Sequence, residues 1–397
     1  MNILQVSSHY VPAYGFGGPL QVAHALGREW VRDGHQVTVC CTNMETPESD
    51  LDVPTDVPVE LDGVQVWYEP VTLSRHYGYS PQMYSRLKSL TSEADLVIVH
   101  AHYQFAQWAG ARIARKLGKP YVIFAHGSLR KEGIRHKSAL IKLAYLAVME
   151  RKNLSGAVRV VFNGADELEG SLWSHRGVVM RNSIDPAQLD ASGEDAERLF
   201  PAIAGKIRFL FLGRLDVKHK GLDFLLESFS AATRQRDDVA LILAGPDERG
   251  DREVLRDLIA RFGLERSVVF TGVVSGAVKA AVLRSADVFV LPSRFEGGSP
   301  ISALEGLYVG LPIILTPGIG LSDEVVANRL GMVAKPGDEL TKAIVAMLDP
   351  AVRAAYAGRG RPFVLENFVW KKTAARLLDE ITALLHGRRD EMASAVE

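Results

Sequence analysis

At 397 residues the chain exceeds what one ordinary hydrophobic core holds, so two domains are expected. Apolar residues make up 47% and charged residues 23%, the balance of a globular protein rather than of a disordered or membrane-spanning one. A net charge of −1 gives no general attraction to nucleic acid or anionic lipid, so any such contact has to be local.

The chain opens on a short apolar strand, Ile3–Val6, without the basic and apolar pattern of a leader peptide, so a cytoplasmic protein is expected. Gly15-Phe16-Gly17-Gly18-Pro19 follows, then a helical period over Leu20–Arg32. The glycines fail the dinucleotide pattern, because Leu20 stands where its third glycine belongs. A flexible loop facing the opposite domain is the better reading, with Gly17 and Gly18 as ligand-binding candidates. Val37–Cys41 is strand-like; its two cysteines, Cys40 and Cys41, are the only ones and would face opposite ways, which leaves no disulfide framework. Strand patterns recur at Val64–Tyr68, Leu96–His100, Tyr121–Ala125, Val158–Phe162 and Val178–Met180. Asp50-Leu51-Asp52 matches a metal–nucleotide string but sits in a proline-rich loop and is set aside. His100 and His102 lack a third ligand at metal spacing, so no metal site is expected.

The stretch 130–152 carries Arg130, Lys131, Arg135, Lys137, Lys142, Arg151 and Lys152 against Glu132 and Glu150, around an apolar helical segment. It is a candidate for peripheral contact with a membrane surface. Asp185–Gly205 is polar and proline-bounded and reads as a linker. The alternation then restarts: strands Ile207–Leu212, Ala240–Ala244, Val268–Phe270, Val288–Leu291 and Pro312–Thr316, with helical patterns between them. A last helix is expected over Lys371–His386. Alternation at this spacing implies parallel sheets covered on both faces. The fold class is α/β, with two Rossmann-like doubly wound domains facing across a cleft: 1–187 together with 368–397, and 188–367.

The chemistry-bearing residues fall at strand ends, where such sheets bind ligands. Arg214 and Lys220, framed by Gly213 and Gly221, suit a diphosphate and its stabilisation as a leaving group. The loop Gly297, Gly298, Ser299, Pro300 separates Glu296 from a helix expected to begin near Ser302, with Ile301 among the ligand-binding candidates and Glu305 in the first turns. That loop lets backbone N–H groups approach a ligand, while the two carboxylates can accept bonds from hydroxyls. Gly245 follows another strand, and base contacts are expected near Gly272–Val274, with Val274 among them. His126, before Gly127, is placed to hydrogen-bond a sugar.

These pieces together resemble the family-4 glycosyltransferases of GT-B architecture. They are the Gly17-Gly18 loop, Gly34-His35-Gln36-Val37-Thr38-Val39, His126-Gly127, Asn182-Ser183-Ile184-Asp185, Gly213-Arg214-Leu215, Lys220-Gly221, Leu291-Pro292-Ser293, Glu296-Gly297, Glu305-Gly306 and Gly310-Leu311-Pro312. The resemblance implies that the C-terminal domain holds a nucleotide-diphosphate sugar and the N-terminal domain the acceptor. Arg214 and Lys220 would contact the diphosphate, Glu305 the ribose, Glu296 the donor sugar, and His126 would lie beside the reacting carbon. It further implies retention of anomeric configuration, no required cofactor or metal beyond the sugar-nucleotide co-substrate, and a last helix that crosses back to the first domain. The acceptor class it implies is a glycan or lipid-linked molecule of cell-surface polysaccharide or glycolipid synthesis. Two departures stand out. Glu296 and Glu305 have eight residues between them, one more than is usual in the family. Ser183 replaces a family glycine. A nucleotide-sugar epimerase of the same architecture, and a non-catalytic nucleotide-sugar binder, are the alternative readings.

Overall fold

The structure is a computed structural model. It describes residues 1–394 except 17, 130–138, 191–194, 248–249 and 295, and for 139 and 387–394 the backbone alone. The chain divides into two compact units, Met1–Arg181 with Trp370–Glu397, and Asn182–Val369.

The first unit is built on β1 (Asn2–Val6), β2 (Gln36–Thr42), β3 (Val59–Leu61), β4 (Val64–Glu69), β5 (Leu96–His100), β6 (Tyr121–Phe124), β7 (Arg159–Phe162) and β8 (Gly177–Val179). Their order in the sheet is β3-β4-β2-β1-β5-β6-β7-β8. Every pairing is parallel except that of β3 with β4. All five residues of β5 are buried, which is why that strand reads as a continuous apolar run rather than an alternation. The β3–β4 hairpin was not anticipated. Its turn is Asp62-Gly63, with φ of 52° and 82°, the left-handed pair that a tight hairpin requires.

The helix Trp370–Ser394 belongs to this first unit. Ala374, Leu377, Leu378 and Ile381 recur at helical spacing and are all buried. The fully buried Trp30 of helix Gly18–Arg32 donates its indole N–H to the Ala374 carbonyl at 3.1 Å.

The second unit holds β9 (Ile207–Leu212), β10 (Val239–Ala244), β11 (Val268–Gly272), β12 (Val288–Leu291), β13 (Ile313–Leu315) and β14 (Gly331–Val333). The sheet is parallel throughout, in the order β11-β10-β9-β12-β13-β14. Phe209 and Phe229 meet edge to face in its core, with centroids 5.8 Å apart. The segment expected to be a linker is part of this unit. It carries helices Pro186–Asp190 and Ala196–Leu199, and it buries Leu189, Ala196 and Ile203 in the second core. Its polar composition hid three apolar residues that each meet that core. The chain's two passages through this region lie side by side, Ile184 donating its N–H to the Phe368 carbonyl at 2.9 Å.

Candidate active site

In the second unit, chain order runs from β9 outwards through β10 to β11, then returns to β12 on the other side of β9. The sheet therefore reverses direction between β9 and β12, and a doubly wound sheet opens a crevice at the carboxyl ends of such a pair. Arg214 follows β9 and Glu296 follows β12, so the two segments singled out in the sequence flank that point.

The segment after β9 is a built turn. Asp216 accepts the His219 N–H on its carboxylate at 2.8 Å and the Lys220 N–H on its carbonyl at 2.9 Å. Asp251 takes the Val217 N–H at 2.8 Å. Gly221 then turns with φ of 65°, and a Cβ there would stand 2.1 Å from the Pro292 carbonyl oxygen. Glycine is thus what lets this turn seat against the loop after β12. Gly245 has the same role beside β9, since a Cβ on it would meet the Gly213 carbonyl oxygen at 1.9 Å.

The seating brings Lys220 to Glu296. Lys220 Nζ donates to Glu296 Oε1 at 2.6 Å, and Ser293 Oγ donates to Oε2 at 2.8 Å, so both carboxylate oxygens are held. Lys220 is only 9% exposed. Arg294, beside Ser293, makes a forked pair with Asp223 at 2.8 and 3.0 Å and lies over the Phe224 ring, which ties the loop to helix Leu222–Thr233. The pKa of His219 is lowered, by burial first and by the Lys220 charge second; Glu296 and Asp216 oppose this and Arg214 adds to it. Arg214, Lys220, Glu296 and His219 therefore share one electrostatic neighbourhood.

Glu305 lies in helix Ile301–Tyr308, 7% exposed, and its Oε1 accepts from Lys279 Nζ at 2.5 Å. Lys279 was not singled out in the sequence. The available signal was a lone lysine inside the apolar helical run Gly276–Ser285. Ser293 was matched as part of a motif without a role. Between the glutamates, Gly298 adopts φ of 70° and packs its backbone against Gly320, Ser299 is fully buried, and Pro300 caps the helix that Ile301 begins. Glu296 is tied further by a bridge to Ile319, its N–H reaching the Gly318 carbonyl at 3.3 Å. Gly297 lies within the same loop, and Val274 is half-buried just beyond β11.

In the first unit the sheet reverses between β1 and β5. His100 ends β5, and His126 follows β6. His126 has φ of 45°, and Ala101 and Tyr103 beyond β5 have 69° and 74°. Left-handed backbone at non-glycine residues costs about 1–3 kcal/mol each and concentrates at working sites. The turn is pinned by buried Glu167, whose carboxylate accepts the Gly127 N–H at 2.5 Å and the Asn163 N–H at 2.8 Å. Burial lowers the pKa of His126 to about 4 and of His102 to about 3, and drives that of His100 well down, so all three rings are neutral at pH 7. Gly18 starts its helix with open space where a Cβ would stand; Gly17 lies outside the described residues. Asp50 is paired with Arg75 at 2.8 Å. Among the described residues no cluster of three or more His, Cys, Asp or Glu side chains is arranged to hold a metal ion.

Two family models match the chain: a glycosyl transferase 4-like domain over residues 17–179, and glycosyl transferases group 1 over residues 206–350. An uncharacterised glycosyltransferase of Methanocaldococcus jannaschii is 24% identical, covering 94% of this chain and 96% of its own. The phosphatidyl-myo-inositol mannosyltransferase of Mycobacterium leprae is 26% identical over 76% of this chain and 77% of its own. Among solved structures, Anabaena HepE in complex with UDP and glucose superposes with a TM-score of 0.76 over 96% of this chain and 100% of its own; at 18% identity that likeness establishes the fold. The two models between them span most of the chain, and full-length relatives and fold agree with them. The chain belongs to the family-4 glycosyltransferases of GT-B architecture.

Proposed function

We propose that the protein transfers a hexose-type sugar, with retention, from a nucleotide diphosphate to a glycan or lipid-linked acceptor. The observation that carries this is the Lys220–Glu296 pair, which joins the two strand-end segments at the reversal point of the second sheet. In this reading Arg214 and Lys220 face the diphosphate. An ammonium has three donors, so Lys220 can keep Glu296 and still bond a phosphate oxygen. Glu305, oriented by Lys279, accepts from the ribose hydroxyls. Gly245, Val274 and the segment Gly297–Ile301 line the nucleotide and sugar, with the N–H groups that open helix Ile301–Tyr308 turned to negative charge. Glu296 and His126 orient the transferred sugar. The Gly17-Gly18 loop takes part in donor binding.

The acceptor hydroxyl oxygen bonds to the anomeric carbon as the bond from that carbon to the phosphate oxygen breaks. The electron pair stays on the diphosphate, which accepts the hydroxyl proton on the same face. Positive charge from Arg214 and Lys220 stabilises the departing group. Contact with a membrane-bound acceptor is assigned to 130–152, of which 139–152 is described. There Leu140, Ile141 and Val148 are 83%, 73% and 80% exposed, near the charges of Arg151 and Lys152. Such a contact would keep the protein peripheral to the inner face of a membrane.

The test is a panel of nucleoside diphosphates and their sugars in a thermal-shift assay, followed by transfer assays with the donors that bind. A ligand at 100 times its Kd adds about 2.7 kcal/mol of stability. Arg214→Ala should retain the fold and lose at least about 100-fold in turnover. Transfer at the parental rate by that variant, or an epimerised sugar formed from donor alone, overturns the proposal.

A further inference from the structure

His126 Nε2 lies 3.1 Å from His100 Nδ1, and His100 Nε2 lies 2.7 Å from Gln5 Oε1. Gln5 Nε2 lies 3.1 Å from the Ala23 carbonyl oxygen. Gln5 and His100 are wholly buried. Gln5 sits on β1 and His100 at the end of β5, the two strands that meet where the first sheet reverses.

The chain of contacts has one consistent proton arrangement, and it is fixed from its far end. A carbonyl oxygen only accepts, so the amide nitrogen of Gln5 must face Ala23 and its oxygen must face His100. His100 therefore carries its proton on Nε2. A neutral imidazole has one N–H, so His100 Nδ1 is a lone pair and accepts from His126 Nε2–H. His126 is left with a lone pair on Nδ1, the ring atom that has no partner among the described residues.

Resting on the proposed role of His126 beside the donor sugar, we infer that Gln5 and His100 are positioning residues that fix His126 as the Nε2–H tautomer, so that its Nδ1 acts only as an acceptor and selects a ligand hydroxyl. A phosphate oxygen or a carbonyl has no proton to offer that atom. The single N–H of His126 is already committed to His100, so the ring does not protonate the leaving group. Nor is the relay a proton sink, because it ends on an amide that takes up no proton near neutral pH. Its effect is orientation and choice of tautomer.

The experiment is long-range proton–nitrogen NMR on the full chain with ¹⁵N-labelled histidine, with resonances assigned through His100→Asn and His126→Asn. The parent should show His126 with a protonated Nε2 and an unprotonated Nδ1. In Gln5→Met, His100 Nε2 loses its acceptor. Its proton is then better placed on Nδ1, where it bonds His126 Nε2, and His126 moves to the Nδ1–H form. Transfer by Gln5→Met should fall about tenfold in kcat/KM, the scale of one neutral hydrogen bond.

A parent His126 protonated at Nδ1 overturns the inference, whatever Gln5→Met does. An unchanged His126 tautomer in folded Gln5→Met overturns the part assigned to Gln5. If the tautomers are as expected but His126→Asn transfers sugar at the parental rate, the relay stands and the sugar contact of His126 falls. The two failures are therefore separable.

Discussion

Lys220 Nζ and Glu296 Oε1 are 2.6 Å apart, so the cation assigned to the diphosphate and the carboxylate assigned to the sugar are one bonded unit. Removing the cation leaves Glu296, among the described residues, with the neutral Ser293 Oγ on its carboxylate, and takes a donor from the site assigned to the diphosphate. Lys220→Met should lower kcat at least about 100-fold. Glu296→Gln keeps an acceptor for Lys220 and should cost about tenfold, near one hydrogen bond to a charged group. Steady-state kinetics of the two variants decide it: a Glu296→Gln more damaging than Lys220→Met reverses the assigned roles.

Lys279 and Glu305 form the second such unit, and both are largely buried. Truncating the lysine strands a buried carboxylate, which costs about 3 kcal/mol. Urea denaturation of Lys279→Met should show that loss. The double variant Lys279→Met with Glu305→Gln should recover part of it, since the uncompensated charge is gone. A double variant no more stable than the single one refutes this account.

Acid should destabilise the fold. His9, His102 and His126 have folded pKa values near 4, 3 and 4 because burial penalises their charged forms, against about 6.5 unfolded. Between those limits the unfolded chain binds more protons, so stability rises with pH and is lost as pH falls from about 6.5 towards 4. Glu150, raised to about 6 by burial, acts in the opposite sense over a narrower window. Urea midpoints at pH 7 and pH 5 measure the balance, and a higher midpoint at pH 5 contradicts it.

The exposed Leu140, Ile141 and Val148 give a direct membrane test. Flotation with vesicles containing anionic lipid should carry the protein upward, less so at high salt. Leu140→Glu with Ile141→Glu should reduce recovery at least fivefold, since each acid removes apolar surface and adds repulsion. Equal flotation of parent and variant removes this segment from the interface.

Much of this molecule was legible because the candidate residues fall at strand ends and the sequence shows where strands end. Gly213–Lys220 and Glu296–Glu305 could be paired from their positions alone. The partners that hold those residues were not legible in the same way. Lys279 reaches Glu305 only once the strand between them is placed in the sheet, and nothing in local spacing does that; Ser293 lies three residues before Glu296, a local spacing that went unused. Gln5 was passed over within the apolar strand Ile3–Val6. Asp185–Gly205 misled because composition averages over a segment, while burial is decided residue by residue at Leu189, Ala196 and Ile203. Asp62-Gly63 was a readable turn that the weak alternation around Val59–Leu61 concealed.

The bond from Trp30 to Ala374 has a consequence for synthesis. The second unit is one unbroken stretch, Asn182–Val369, and can close around its own core as soon as that stretch is free. The first unit is made first but cannot be finished first. Until Trp370–Ser394 leaves the ribosome, the indole N–H of Trp30 lacks the Ala374 carbonyl and the face of helix Gly18–Arg32 that carries it stays open to solvent. For as long as it takes to translate everything between, the nascent N-terminal half waits unsealed for its last helix.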